Sequence, residues 1–163
     1  MKILLTMALG NEFVSWRRLH GFKRVAGTNY AGYDGKVDSV DVRVALTGVG
    51  AVHARSVAAG ALQWMPNVCI SSGFAGSLRA SHRVGDVFAA REVMEMESGR
   101  TITADGGLLV AAEKSDIRVV ERLLSSSNMV VTAEGKSRLG RMAEAVEMES
   151  FAVLTEAASR NVP

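Results

Sequence analysis

Short apolar runs separated by glycine-containing turns occupy much of the chain. Residues 2–9 and 68–71 are nearly continuous apolar runs, which is typical of strands buried on both faces of a sheet. Residues 23–47 alternate between apolar and polar positions and are punctuated by glycines, so we expect antiparallel strands that end with 42–46. These runs predict a protein in which buried strands form the framework.

Helical spacing separates the strands. Between residues 51 and 65, small and apolar side chains recur every three or four positions, with Met65 the last of them, and Pro66 ends the pattern. Further helices are predicted at 12–20, 105–114, 134–142 and 149–160. Further strands are predicted at 84–93, 118–125 and 146–148, although helical spacing also fits the second of these.

The order of elements in residues 42–71 predicts a βαβ unit. A strand, a glycine turn at 47–50, a helix and a proline stop lead into the strand at 68–71. Such a unit joins parallel strands through a right-handed crossover, so an α/β fold is expected. The length of 163 residues corresponds to a single domain over 1–163.

Composition and charge exclude several classes of protein. The net charge is +2 and aromatic residues make up only 6% of the chain, so we expect no nucleic-acid partner. The single cysteine, Cys69, lies in an apolar run, which predicts an inert core thiol in a reducing compartment. No signal peptide or membrane span is predicted, and a cytoplasmic location without a membrane partner is expected.

Two carboxylate positions could carry chemistry. Glu12 follows the first buried strand, and Glu147 and Glu149 flank Met148 at the end of a later one. If residues 147–149 are extended, both glutamates share one face and could serve as a general acid or base and as a clamp for a diol. The alternative is structural, because carboxylates beside the first turn of a helix are stabilised by its dipole.

Other sites are not indicated by the pattern. The three histidines (His20, His53 and His82) lie far apart without metal-ligand partners, so surface or helix-face positions and no metal site are predicted. A dinucleotide fingerprint is excluded, because His53 occupies the place of its third glycine and the following stretch lacks an acidic residue. The loop of small residues at 71–77 follows a predicted strand and is therefore the first place to expect a ligand.

Four segments, in order, resemble the superfamily of purine nucleoside phosphorylases and 5′-methylthioadenosine/S-adenosylhomocysteine nucleosidases. Residues 145–150 (Ala-Val-Glu-Met-Glu-Ser) resemble its Val-x-Met-Glu signature, and residues 2–12 resemble its first strand with the nucleosidase-type glutamate. Residues 47–50 resemble its Gly-Ile-Gly turn, and residues 72–76 with 84–86 resemble its Thr-Gly-x-Ala-Gly and Val-Gly-Asp block. Residues 129–136 are also similar to the hopanoid-associated phosphorylases.

The resemblance implies a mixed central sheet flanked by helices and cleavage of the N-glycosidic bond of a purine nucleoside. It implies that Glu12 activates water and that Glu149 holds the ribose hydroxyls, with Met148 under the sugar. The remaining substrate-binding positions that it implies are Ser72, Gly73, Phe74 and Ala75 around the sugar and Met129 and Val130 along the purine. Glu147 is also counted among the substrate-binding residues. No cofactor is expected, with inorganic phosphate as co-substrate in a phosphorylase, and a homo-oligomer (dimer or hexamer) is expected.

The chain also departs from the family pattern. The protonating aspartate of the family lies in an Arg-x-Ile-Ser-Asp run after the position of Pro163, so we expect the sequence to lack a C-terminal part of the fold. Phe74 replaces a small residue, and Ser71 stands where phosphorylases place a phosphate-binding arginine. A nucleosidase acting on 5′-methylthioadenosine, S-adenosylhomocysteine or a related adenosine is favoured. The alternatives are a hopanoid-type phosphorylase and a non-catalytic nucleoside-binding protein or inactive fragment.

Overall fold

The computed structural model describes all residues from 1 to 163, and the chain forms two compact units. The first unit comprises Met1–Phe74 and Ala152–Pro163, and the second comprises Ala75–Phe151. Each unit contains one five-stranded mixed sheet, which confirms the mixed α/β class, with the strands divided between two sheets. That residues 1–163 form one domain stays a prediction. No helix is both long enough and apolar enough to cross a bilayer.

The first unit is built on a sheet with β1 at its centre. Its strands are β1 (Lys2–Met7), β2 (Lys23–Arg24), β3 (Ala31–Val37), β4 (Val40–Leu46) and β5 (Val68–Ser71), and its helices are α1 (Gly10–His20), α2 (Ala51–Ala61) and a 3₁₀ turn (Leu62–Trp64). The strand order is β2-β3-β4-β1-β5. The β2–β3 and β3–β4 pairs are antiparallel, as predicted, and β1 pairs in parallel with both β4 and β5. The strands of the predicted βαβ unit are thus parallel, with β1 between them.

Because β1, β4 and β5 are parallel, the chain leaves all three strands at the same end of the sheet. Thr6 of β1 is level with Ala45 of β4 and Ser71 of β5. Beyond the strands, the N–H of Ser72 donates to the carbonyl of Thr6 at 2.9 Å, and the N–H of Thr47 donates to the carbonyl of Met7 at 2.8 Å. The loop after β5 and the start of α1 therefore leave the sheet at the same end.

Side chains on the two faces of β1 enter separate hydrophobic clusters, because successive residues of a strand point to opposite faces. Leu4 packs with the alanines of α2 and with Cys69, and Leu5 packs with Phe13 of α1. The thiol of Cys69 is 4% exposed, and burial raises its pKa to about 12. Because the reactive thiolate is suppressed, Cys69 is the inert core residue that the sequence predicts.

The end of α2 differs from the predicted helix. Its buried stripe of Ala54, Ala58 and Ala61 is as expected, but the side chain of Met65 is 76% exposed. The helix tightens into the 3₁₀ turn after Ala61, and Met65 takes a left-handed conformation (φ 54°) that ends it. The change in winding removes Met65 from the apolar face.

The second unit has the sheet order β6-β10-β9-β7-β8. Its strands are β6 (Gly76–Ser77), β7 (Phe88–Glu95), β8 (Thr101–Thr103), β9 (Arg118–Ser125) and β10 (Ala145–Glu147), and its helices are α3 (Gly106–Lys114) and α4 (Ala133–Leu139). The three central strands β10, β9 and β7 are parallel, and β6 and β8 add antiparallel edges. Helix α5 (Ser150–Ala158) begins in this unit and ends in the first.

The strand alternative for residues 118–125 is correct, and the helical one is wrong. The predicted strand at 84–93 begins later, at Phe88, because residues around Val84 form a turn. In that turn the N–H of Asp86 donates to the carbonyl of Arg83, and the carboxylate of Asp86 accepts from the N–H of Arg83 at 2.9 Å. The short strands β6 and β8 were not predicted, because two or three residues carry no readable alternation.

The imidazole of His82 is buried, contrary to the predicted surface position. Its side chain is 4% exposed, with Ser77 Oγ 3.2 Å from Nδ1 and Glu144 Oε2 3.4 Å from Nε2. The guanidinium of Arg118 also contacts Nε2. These polar partners come from β6, from the start of β9 and from the residue before β10, and they make the burial possible. Sequence spacing did not reveal them.

Gly140 allows a close approach of two backbones in the second unit. A Cβ atom at this position would lie 2.3 Å from the carbonyl oxygen of Leu78, a distance that no side chain can occupy. Gly106, at the start of α3, has open space where its Cβ would be. The two glycines therefore differ in what an added methyl group would meet.

We expect Gly140→Ala to lower the free energy of unfolding by about 1–3 kcal/mol through overpacking. Gly106→Ala, the matched control in the same unit, should be neutral or stabilising by up to about 1 kcal/mol, because alanine restricts the unfolded chain. Urea denaturation of both variants measures the difference. Equal effects of the two substitutions would contradict the close approach at Gly140.

Candidate active site

Glu12 is fixed at the junction of α1 and the loop after β5. It is the third residue of α1, and its Oε2 accepts a hydrogen bond from the N–H of Leu9 at 2.8 Å. Its Oε1 accepts from the N–H of Phe74 at 3.1 Å. The first contact caps the helix, and the second joins the carboxylate to the loop of small residues. The structure therefore brings together Glu12 and the candidate loop that the sequence placed 60 residues away.

Gly73 lets the loop approach Glu12 closely. A Cβ atom on Gly73 would lie 3.0 Å from Glu12 Oε1, so a larger residue would displace the carboxylate. The ring of Phe74 is 73% exposed and does not fill a buried cavity. Ser72 and Ala75 are also exposed, and Ala75 begins the second unit.

Glu147 ends strand β10, and its carboxylate atom Oε1 is buried although the residue as a whole is half-buried. Its Oε2 accepts hydrogen bonds from the N–H groups of Glu149 and Ser150, both at 2.7 Å, just where α5 begins. Its buried Oε1 has no hydrogen-bond partner. Burial raises the pKa of Glu147, and the two N–H groups, with the nearby Ser125 and Ser150 hydroxyls, oppose that rise.

The prediction that residues 147–149 are extended is wrong beyond Glu147. The strand ends at Glu147, and Met148 and Glu149 lie in a bend before α5, so the one-face argument does not extend to Glu149. Glu147 instead has the helix-terminal position of the structural alternative. Met148 and Glu149 are half-buried in this bend, and Glu149 has its backbone N–H bound to Glu147.

The loop after β9 carries the two positions assigned to the purine. The side chain of Met129 is 72% exposed, and Val130 packs partly against the hydrophobic cluster of the second unit. The N–H of Ser126 donates to the carbonyl of Glu147 at 2.8 Å, which joins this loop to the end of β10. We refer to residues 126–130 as the β9 loop.

The sequence analysis did not single out Ser125, which lies beside Glu147, or Ser126, which begins the β9 loop. Ser125 is level with Glu147 in the parallel β9–β10 pair, and Ser126 is 2% exposed. The available signal was the run Ser125-Ser126-Ser127 at the carboxyl end of a predicted strand, where ligands collect in α/β folds. No group of three or more histidine, cysteine or acidic side chains is placed to hold a metal ion.

We expect Glu147→Gln to be more stable than the wild type at pH 7. Because the pKa of Glu147 is raised in the fold, ionising it costs stability above that folded pKa, and the cost disappears as pH falls toward its ordinary value of 4.5. Glutamine keeps an acceptor for the two N–H groups without a charge. The difference in free energy of unfolding should therefore shrink from pH 7 to pH 4.5.

Urea denaturation across this pH range measures that difference, with the exposed Glu113→Gln as control. The control difference should stay nearly constant, because Glu113 forms only a half-exposed ion pair with Arg91. If the difference in free energy of unfolding between Glu147→Gln and the wild type grows as the pH falls, ionisation of the buried carboxylate does not cost stability.

Known structures share this fold. The 5′-methylthioadenosine/S-adenosylhomocysteine nucleosidase of Neisseria meningitidis, in complex with methylthio-immucillin-A, superposes with a TM-score of 0.89 at 23% identity, covering 99% of this chain and 81% of that one. The futalosine hydrolase of Helicobacter pylori gives 0.87 at 22% identity, with 100% and 81% covered. A nucleosidase of the first kind from Colwellia psychrerythraea, in complex with adenine, gives 0.89 at 22% identity, with 100% and 78% covered.

A family model extends this agreement from the fold to the sequence. Residues 2–163 match the model of the phosphorylase superfamily, so the match spans nearly the whole chain. It confirms the resemblance to this superfamily that the four ordered segments indicate. The chain therefore belongs to the phosphorylase superfamily.

Proposed function

We propose that this chain is a purine nucleosidase-like enzyme that hydrolyses the N-glycosidic bond of 5′-methylthioadenosine, S-adenosylhomocysteine or a related adenosine. The observation that carries the proposal is the position of Glu12. Its carboxylate is held between the start of α1 and the N–H of Phe74, at the carboxyl end of the central strand. This is the end of a parallel sheet where α/β enzymes bind their ligands.

Glu12 acts as the general base. A water molecule attacks the anomeric carbon of the sugar while the bond from that carbon to the purine nitrogen breaks, and the purine keeps the electron pair. Glu12 accepts a proton from the water and later releases it to solvent, while the purine takes up one proton from solvent at a ring nitrogen, so the products are free base and free sugar. A carboxylate suits the base role and also stabilises the positive charge that develops on the sugar.

The bend after β10 binds the ribose. Glu149 accepts hydrogen bonds from two ribose hydroxyls, because a carboxylate has two acceptor oxygens. Met148 packs under the sugar. Glu147 orients this bend through its hydrogen bonds to the N–H groups of Glu149 and Ser150.

The remaining candidate residues surround the sugar and the base. Ser72, Gly73, Phe74 and Ala75 form the loop beside the sugar, and the exposed ring of Phe74 is free to pack against a ligand. Met129 and Val130 line the purine, for which the exposed thioether of Met129 offers an adaptable apolar surface. An adenine-type base is supported by the similar structures, two of which are complexes with methylthio-immucillin-A and with adenine.

A phosphorylase is the second candidate, supported by the family match and by the resemblance of residues 129–136. Of Arg17, Arg18 and Arg55, which could bind phosphate in a phosphorylase, two already have partners, and this favours hydrolysis. Arg17 stacks on the ring of Tyr33 at 4.8 Å, and Arg55 lies 3.7 Å from Glu156, so both guanidinium groups have partners within the first unit. Ser71, in the place of the phosphate-binding arginine, has no positive charge to offer. A homo-oligomer and the absence of a cofactor remain part of the proposal.

The test is release of free adenine from 5′-methylthioadenosine, with and without inorganic phosphate. Release that is independent of phosphate supports the nucleosidase, and release that requires phosphate identifies the phosphorylase.

Glu12→Gln should lower kcat by about 10²–10⁴-fold, the usual contribution of a general base. Glu149→Gln should lower kcat/KM by roughly 10-fold or more, because a charged hydrogen bond to the ribose is lost.

Glu113→Gln serves as the control and should leave the rate unchanged. Full activity of Glu149→Gln would exclude its assigned role. Adenine binding by the wild type without any release, with or without phosphate, would instead support the non-catalytic nucleoside-binding alternative.

A further inference from the structure

The β9 loop is held by a residue that has no assigned role in the chemistry. Glu97 lies in the hairpin turn between β7 and β8, within the second unit. Its Oε1 accepts hydrogen bonds from both the N–H and the Oγ–H of Ser127, at 2.8 Å and 2.5 Å. Ser127 comes two residues before Met129, the first position assigned to the purine. We propose that Glu97 is a positioning residue that orders the β9 loop for binding the base, an inference that rests on the proposed function.

Backbone hydrogen bonds fix the shape of the hairpin turn that carries Glu97. The N–H of Gly99 donates to the carbonyl of Glu95 at 2.8 Å, and the N–H of Glu95 donates to the carbonyl of Arg100 at 2.9 Å. Gly99 takes the left-handed conformation (φ 69°) that such a tight turn requires. The guanidinium of Arg100 also lies over the ring of the buried Phe151, 5.5 Å from its centroid. The acceptor of Ser127 is therefore part of an ordered turn.

The β9 loop continues the hydrogen bonding from Ser127. The side-chain amide of Asn128 donates to Ser127 Oγ at 3.0 Å, and the carbonyl of Asn128 accepts from the hydroxyl of Ser126 at 2.8 Å. The N–H of Ser126 is bound to the carbonyl of Glu147. The loop is thus held at two points, by Glu147 on the ribose side and by Glu97 on the other.

The charge of Glu97 strengthens its contact. Hydrogen bonds to a carboxylate are stronger than those between neutral groups. The bonds from Ser127 lower the pKa of Glu97, so the carboxylate stays ionised near neutral pH. No other acidic side chain accepts from the backbone or hydroxyl of Ser127. Loss of Glu97 would leave Ser126 as the main anchor of the loop.

A matched control exists in the same turn. Glu95 lies two residues before Glu97, and its carboxylate accepts from the hydroxyl of Ser98 within the hairpin and not from Ser127 of the β9 loop. Glu95→Gln keeps that acceptor and changes the charge of the hairpin by the same amount as Glu97→Gln. Any effect specific to Glu97 is therefore separated from the loss of one negative charge.

The experiment measures 5′-methylthioadenosine cleavage and, by calorimetry, adenine binding for the wild type, Glu97→Ala, Glu97→Gln and Glu95→Gln. Glu97→Ala should raise KM and the Kd for adenine by roughly 5–20-fold, with kcat within about threefold, because an interaction present in both ground and transition states affects binding. Glu97→Gln should fall between Glu97→Ala and the wild type, and Glu95→Gln should match the wild type. All variants are compared at a temperature well below their unfolding midpoints, so that the differences in binding are measured on folded protein.

A double substitution tests whether the effect passes through Ser127. If it does, Glu97→Ala combined with Ser127→Ala should cost less than the sum of the two single losses in adenine affinity. Additive losses, or Glu97→Ala values equal to those of Glu95→Gln, would overturn the inference while leaving the proposed function intact.

The binding measurement also separates the two proposals. A wild type that binds adenine but cleaves no nucleoside would overturn the proposed hydrolysis, and weaker adenine binding by Glu97→Ala would still support the positioning role. A wild type that binds no purine would overturn both.

Discussion

The positions of the candidate residues depend on parallel strand pairing at the centre of each sheet. In the first unit, β1 pairs with β4 and β5, so that their carboxyl ends meet at one edge and the loop after β5 reaches Glu12. In the second unit, β10, β9 and β7 repeat this arrangement, and Glu147, Ser125 and Glu95 are level across three strands. A shift of register in either sheet would separate residues that no local interaction holds together.

The burial of Glu147 opposes the stability of the fold around it. A carboxylate with one buried oxygen and no partner for it is costly, and the N–H groups at the start of α5 offset only part of that cost. The same arrangement gives the bend at Met148 and Glu149 a defined shape. A buried acceptor without a partner persists only where the surrounding structure holds it in place.

Much of the fold could be predicted because its signals are local. The apolar runs of β1 and β5, the alanine stripe of α2 and the antiparallel strands between them all follow from side-chain period. The register of Glu147 with Ser125 and the burial of His82 could not, because both depend on residues distant in sequence. The start of β7 at Phe88 differs for a local reason, the turn around Val84. Glu12 was found by its place after a strand, whereas its bond to Phe74 required the folded loop. Glu97 lies in an exposed turn whose sequence gives no sign of its contact with Ser127.

The lone thiol of the chain makes one unit observable separately from the other. Cys69 belongs to the first unit, where its side chain packs beside Leu4 and its N–H donates to the carbonyl of Pro163 at 2.7 Å. The second unit contains no cysteine. The rate at which a thiol reagent modifies the native protein therefore measures how readily the first unit opens, and the measurement requires no engineered probe.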